Sequence, residues 1–282
     1  MVSNATEPKV TEATGAPPAV SPRQATPRRR RLRVPTELLL SLGILIVFLG
    51  AWELFIRVRG LSKLVLPGPL VIWNSFVDNL VSGFFWVHIQ ITLSEILLGF
   101  ALGALIGMGL GTIVAQSPLL NRVINPYIIA SQAMPKLALA PIFVLWFGFG
   151  ITPKVFITAL IAFFPLFENT ITGLNQVDAD RLELFRVLRA SRWQTFSKLR
   201  LPNALPFVFA GLRVAMVLSI VGAIVGEYVG ANRGLGALII ASQGTMDTPL
   251  MFAVFLLLTV LGVVLYKLVE LVEHLVTGWR FR

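Results

Sequence analysis

Long apolar runs separated by short polar joints lay out the plan of the chain. They extend from Leu38 to Ile56, Ile89 to about Ala115, Val123 to Phe149, Val155 to about Leu174, about Phe207 to Val229, and about Leu250 to Val276. An apolar stretch of about 20 residues crosses a bilayer as a helix, because a helix satisfies its own backbone polar groups in hydrocarbon. The pattern predicts an all-α polytopic membrane protein with about six transmembrane helices. The third run carries Pro126, Pro135 and Pro141, with Lys136 between them. Each proline removes a helix hydrogen bond, so this run is expected to be bent or broken. The second run carries Gly99, Gly103, Gly107 and Gly111. Glycine at every fourth position leaves a smooth stripe that lets another helix approach closely, so packing is the expected use rather than a hinge. Between the first two runs, residues 60–86 combine Pro67, Gly68 and Pro69 with a moderately amphipathic piece over 70–80. An external connector with an interfacial helix is expected there. No internal repeat is visible.

Composition sharpens the class. Of 282 residues, 56% are hydrophobic and only 13% charged, with a mean hydropathy of +0.80. Soluble domains carry roughly a quarter charged residues, so a soluble fold is excluded. The net charge of +10 would suggest nucleic acid in a soluble protein. Here lysine and arginine collect in tails and joints, as membrane orientation requires, and no nucleic-acid partner is expected. Cysteine is absent, which excludes disulfides, thiolate catalysis and cysteine-ligated metals. His88 and His274 stand far apart and are expected at interfaces rather than as ligands.

The ends follow the same logic. Residues 1–35 are rich in Ala, Pro, Thr and Ser and end in a basic cluster from Arg28 to Arg33. A disordered cytoplasmic tail is expected. A basic segment before an apolar run also outlines a secretory signal, and paired arginines outline a twin-arginine signal. The run is too long for a signal core and lacks an evident small-residue cleavage site, so it is expected to be retained as the first span. Six spans put both termini, including a short tail at 279–282, and the 180–206 loop on one side. The basic tail, the loop cations, Arg280 and Arg282 make that side cytoplasmic, with Arg57, Arg59 and Lys63 against the trend.

The loop from Asp180 to Pro206 carries Arg181, Arg186, Arg189, Arg192, Lys198 and Arg200, alternating with Leu182, Leu184, Phe185, Leu188, Trp193 and Phe196. A bilayer does not accept six cations in one span, so this segment works in water beside the membrane. Asp180-x-x-Glu183 reads as a helix start, and Ser191-x-x-Gln194 matches a capping box. A turn falls at Arg189-Ala190; Pro202 is expected to stop the second helix and Pro206 to seat the first turn of the fifth span. The result is a helix–turn–helix that exposes Leu184, Phe185 and Leu188 among arginines. Such a surface suits docking in a partner's groove, and equally suits lying on anionic lipid; these residues leave both open.

Glu183, Arg189 six residues later, and Leu199-x-Leu201-Pro202 resemble the signature of ABC-importer permeases, which reads E-A-A, three residues, G, nine residues, I-x-L-P. Leu184 and Phe185 replace the alanines, and Arg189 replaces a glycine suited to unusual turn angles. The segments Pro135-Lys136-Leu137-Ala138-Leu139-Ala140-Pro141, Leu145-Trp146-Phe147-Gly148-Phe149-Gly150 and Gly226 to Gly236 look like the branch importing nitrate, alkanesulfonates, taurine and bicarbonate. Thr92-Leu93 and Gly99-Phe100 fit as well, while Glu95 stands where that branch often has arginine. The resemblance covers residues 36–278.

It implies a type I ABC-importer permease fold in a bacterial plasma (inner) membrane. The expected assembly pairs two permease copies, as a homodimer, with two cytoplasmic ABC ATPase subunits and an external or periplasmic solute-binding protein. The coupling loop would be 178–203, with Glu183, Leu184, Phe185, Arg186, Leu188, Arg189 and Ala190 as the ATPase contact. No G-x-x-x-x-G-K-[ST] sequence occurs, so the chain is expected to be no enzyme and to hold no cofactor, with ATP and Mg on the partner ATPase. The implied cargo is a small anionic nutrient of the sulfonate, nitrate or taurine kind. Lys136, Pro135, Glu227 and Arg233 are the candidates for pathway or gate, since charges within spans mark pathways. Lys136 either meets a passing anion or braces a helix end. Glu227 lines the gate or pairs with Arg233, Arg213 lies near the cytoplasmic interface, and Glu95 and Glu168 are expected at interfaces. The alternative, an ion-gradient-driven secondary transporter, needs midplane carboxylates and repeats that are not clearly seen. An intramembrane enzyme needs a nucleophile–base pair or metal cluster, and none stands within the runs.

Overall fold

A computed structural model describes residues 36–278, and these are helical without strands. The expected tails at 1–35 and 279–282 lie outside the described residues. Contact density divides the chain after Val47. The first unit contributes the opening turns of α1 (Thr36–Arg59), an apolar helix whose residues 39–51 are exposed on all sides. The second unit, from Phe48 onward, contains the rest.

Within it, α3 (Phe84–Ala115), α6 (Ile151–Asn175) and α9 (Leu201–Tyr228) pack side by side, with α6 as the central plank. The glycine stripe of α3 lies on α6 as expected. A Cβ at Gly103 would stand 2.6 Å from Ala159 O, one at Gly107 2.8 Å from Phe163 O, and one at Gly111 2.9 Å from Phe167 O. The same device recurs on the other side of α6. There a Cβ at Gly211 would meet Asn169 Cβ at 2.9 Å, and one at Gly222 would meet Thr158 Cα at 2.8 Å. Lipid is as apolar as a leucine surface, so helices in it associate by close packing, and small residues are what permit it.

The helix α2 (Pro69–Val81) starts with Pro69 in its first turn, where the missing N–H costs little. It was expected at the interface. Ile72 and Phe76 are nonetheless buried, and Phe76 joins a core with Phe85, with Leu235 and Leu238 of α10 (Leu235–Gly244), and with Val254 and Leu257 of α11 (Thr248–Thr277).

The third run is broken, as its prolines dictate. It consists of α4 (Pro118–Ala133), a 3-10 turn over Lys136–Leu139 and the short α5 (Ala140–Phe147). Met134, held extended by the proline after it, separates α4 from the turn. The α5 helix lies on α6 through Phe147 and Phe156, whose rings stack 4.7 Å apart. Among the described residues, five helical stretches are therefore long and apolar enough to cross a membrane, and the third run is this interrupted segment.

One boundary differs from expectation. Pro202 does not stop the helix that starts after Ser191. The segments α8 (Arg192–Thr195), a π turn at Phe196–Arg200 and α9 form one continuous rod from Arg192 to Tyr228. Leu201 N–H reaches back five residues to Phe196 O. This widened turn accommodates the proline ring and its missing donor. Pro206 accordingly sits inside the helix rather than in its first turn.

Candidate functional site

The basic loop leaves α6 at one end of the bundle. Asn203 Nδ2 donates to Gln176 O at 2.7 Å and ties the two ends of the loop together. Below it, Val114, Phe167, Leu174 and Ala204 form an apolar floor from α3, α6 and α9. The first loop helix, α7 (Ala179–Val187), begins earlier than the Asp180-x-x-Glu183 spacing suggested. Its N-cap is Asp178, whose carboxylate accepts from Asp180 N at 3.1 Å.

The turn after α7 is fully bonded. Arg189 N donates to Arg186 O at 2.9 Å and Ala190 N to Phe185 O at 3.0 Å, the pair of bonds that closes a helix through a left-handed residue. Arg189 is that residue, with φ of 51°. The next helix starts with the expected capping box: Ser191 Oγ accepts from Gln194 N at 3.2 Å, and Gln194 Oε1 accepts from Ser191 N at 2.8 Å.

The exposed apolar strip is Leu184, Val187, Leu188 and Trp193, each more than half exposed. Glu183, Arg186 and Arg189 are exposed beside it. Phe185, expected to point outward with the leucines, is half-buried, as is Ala190. Helical spacing explains this: Val187 and Leu188 follow Leu184 by three and four residues and so lie on its face, whereas Phe185 is turned about 100° away from Leu184. A cleft of about 420 Å³ lies behind the strip, lined by Arg186, Arg192, Arg200, Phe196 and Gln116 among others.

The opposite end of the bundle holds a buried polar cluster. Lys154 of α6 donates to Glu95 Oε1 of α3 at 2.6 Å, with side chains 10% and 1% exposed. On α9, Glu227 is 1% exposed. Its Oε1 accepts from Thr92 Oγ1 at 2.6 Å, and its Oε2 accepts from the backbone N–H of Gly236. Thr92 Oγ1 in turn accepts from Leu235 N at 2.8 Å. His88 Nδ1 lies 2.9 Å from Gly234 O and 3.2 Å from Gly234 N. Thus α3 and α9 together hold the first turn of α10. Gly234 (φ 124°) and Gly236 sit against the Glu227 carboxyl with no room for a Cβ.

These contacts revise several expectations. Glu95 is buried in an ion pair rather than interfacial. Glu227 bonds Thr92 and the α10 backbone rather than Arg233, which is exposed. Pro135 is exposed at the start of the 3-10 turn, while Lys136 is half-buried with Nζ 4.5 Å from the centre of the Phe164 ring. Pro135 and Lys136 therefore stand apart from Glu227 and Arg233 in what they touch. Arg213 pairs with Glu273 of α11 at 3.0 Å. Lys154, Thr92 and His88 were not singled out as site residues. The available signal was that the second and fifth apolar runs carry Glu95 and Glu227, with Lys154 one residue before the fourth, and an ionisable residue in a span needs a partner.

Comparison with known proteins places this architecture. Residues 99–278 match the family described as binding-protein-dependent transport system inner membrane component. The riboflavin transport system permease protein RibX of Chloroflexus aurantiacus is 37% identical over 239 residues, 85% of this chain and 88% of its own. The formylaminopyrimidine transport permease protein ThiX of Halalkalibacterium halodurans is 37% identical over 229 residues, 81% and 91% of the two chains. The putative aliphatic sulfonates transport permease protein SsuC of Bacillus subtilis is 33% identical over 234 residues, 83% and 85%. An inward-facing MetNI methionine ABC transporter shares the fold, with a TM-score of 0.60 at 20% identity over 69% of this chain and 98% of that one. The chain belongs to the binding-protein-dependent transport system inner membrane component family, the permease subunits of ABC importers.

Proposed function

We propose that two copies of this chain form the pore of an importer driven by two cytoplasmic ATPase subunits and fed by a solute-binding protein. The loop at 178–203 is the coupling element, and both termini lie on its side, in the cytoplasm. ATP and Mg²⁺ belong to the ATPase, and this chain carries no cofactor. The observation that carries the reading is the apolar strip Leu184, Val187, Leu188 and Trp193, exposed among arginines on two helices with bonded caps. A rigid helix with apolar anchors and a basic rim suits a groove with acidic edges. Glu183, Arg186 and Arg189 lie at that rim, and Phe185 and Ala190 support it from behind. Introducing Asp at both Leu184 and Leu188 is expected to abolish co-purification with the ATPase and ATP-driven uptake while leaving the chain in the membrane. Undiminished assembly and uptake would overturn the assignment.

For the cargo, the relation to permeases named for aliphatic sulfonates, taurine and nitrate supports a small anion of that kind. The half-buried Lys136 ammonium over Phe164, beside Pro135 in the broken run, supports a passing anion as well. A second reading is a planar heteroaromatic nutrient, favoured by the 37% identity to RibX and ThiX. Uptake of labelled alkanesulfonate against labelled riboflavin by the complete transporter separates them. The anion reading further requires that Lys136→Gln lower anion uptake without loss of assembly.

A further inference from the structure

We propose that the cleft behind the exposed apolar strip is a binding site for an anionic phosphate group, held by Arg186, Arg192 and Arg200. The three arginines come from the last turn of α7, the first turn of the rod and the π turn, and all line one hollow of about 420 Å³. That is the size of a small-molecule site. Elsewhere arginine finds a carboxylate: Arg57 has Glu53 at 2.9 Å and Arg213 has Glu273 at 3.0 Å. Here, among the described residues, no carboxylate lines the cleft and none of the three arginines is in an ion pair. Three like charges around one hollow repel one another, and a bound anion turns that repulsion into attraction. Arg192 also opens a rod of 37 residues, at the positive end of its dipole, where a cation is disfavoured unless an anion offsets it.

The spacing shows how the site is built. Arg192 and Phe196 are four residues apart and share a face. Four more residues of α-helix would carry Arg200 further round. The π turn advances less per residue and brings it back toward that face, so the turn that accommodates Pro202 also aims a cation. Arg200 is half-buried, so part of its length lies within the protein rather than in bulk water. A guanidinium presents a planar fork that matches two phosphate oxygens. Gln116 adds an amide N–H beyond the one it donates to Thr112 O at 3.4 Å. Because Gln116 caps α3, a candidate span, the cleft lies where that helix leaves the hydrocarbon. A phosphate at that depth comes either from an anionic lipid headgroup or from a soluble phosphate compound, with the same recognition chemistry. Once bound, it ties α7 to the rod and to the end of α3.

The test uses the purified full-length chain in a phosphate-free maltoside detergent. Two probes are titrated, inorganic phosphate against sodium chloride of equal ionic strength, and phosphatidylglycerol in mixed micelles. Saturable binding is expected, read as a Tm higher by a few degrees. Stabilisation by inorganic phosphate assigns the site to a soluble ligand, stabilisation by the lipid alone assigns it to a headgroup, and either result supports the proposal. Failure of both probes to stabilise the wild type beyond chloride would overturn it without any variant. Arg192→Gln together with Arg200→Gln should weaken binding by about a hundredfold, since each removes a charged hydrogen-bonding group. Arg181→Gln together with Lys198→Gln removes equal charge from the same loop but outside the cleft, and should leave binding nearly unchanged. Equal losses in the two double variants would mean diffuse attraction and no site. Arg186 is left intact because it also borders the strip. If the Arg192 and Arg200 pair were needed for co-purification with the ATPase while neither probe bound the wild type, the cleft would be a contact for an acidic partner and the proposal would fall.

Discussion

Arg189 shows what a single residue reveals at the scale of one turn. Its φ of 51° lies in the left-handed region, where a side chain costs roughly 1 kcal/mol relative to glycine. The bonds around it require that conformation, so the strain is accepted in the native loop. Arg189→Gly should relieve it. Amide exchange across 186–190 is expected to slow, and affinity for the ATPase to hold or improve. A weaker complex would instead make the guanidinium a contact. That turn was legible because Arg189 lies between two helix starts and, by the resemblance, occupies the glycine place of the permease signature. Lys154 and Glu95 were not legible. They are 59 residues apart in sequence, and nothing in either run names the other as partner. Phe185 failed for a subtler reason: composition marks it as apolar, but only helical phase says which way it faces.

At the scale of the element, the second apolar run offers an internal comparison. Gly107 has α6 backbone where its Cβ would go, whereas Gly109 on the same helix has open space. Gly107→Leu should force α3 from α6 and cost about 2 kcal/mol or more through overpacking. Gly109→Ala should be neutral or slightly stabilising, because it only restricts the unfolded chain. Thermal unfolding in one detergent compares them directly, and equal losses would remove the stripe as the reason for close packing. The stripe could be read from the chain because a four-residue period is a helix face. The run through Pro202 could not. A π turn has no composition of its own, so a proline that ends most helices was taken to end this one.

At the scale of the molecule, the class and family were written in hydropathy and in a few ordered motifs. The count of spans was not quite so plain, since the third run is apolar enough for one but is cut by its prolines into pieces too short to cross alone. What the bundle joins was hidden. The same helices that meet the basic loop at one end hold the buried charges at the other, a long-range coincidence that only packing creates. Inserting two glycines after Arg200 should leave ATPase binding intact and abolish uptake, measured by co-purification and transport in the same membranes. Preserved uptake would mean that the loop acts without α9.

The rod from Arg192 to Tyr228 gives that prediction its mechanical content. Its 37 residues at about 1.5 Å each make a lever about 55 Å long, well beyond the thickness of the hydrocarbon it crosses. A tilt of about 5° pivoted at one end displaces the other by about 5 Å, roughly one helical turn. Trp193 stands at one end and Glu227 at the other. On the proposed coupling role, torque delivered at the Trp193 end would be felt where the α10 backbone rests on the Glu227 carboxyl, carried by the stiffness of the helix.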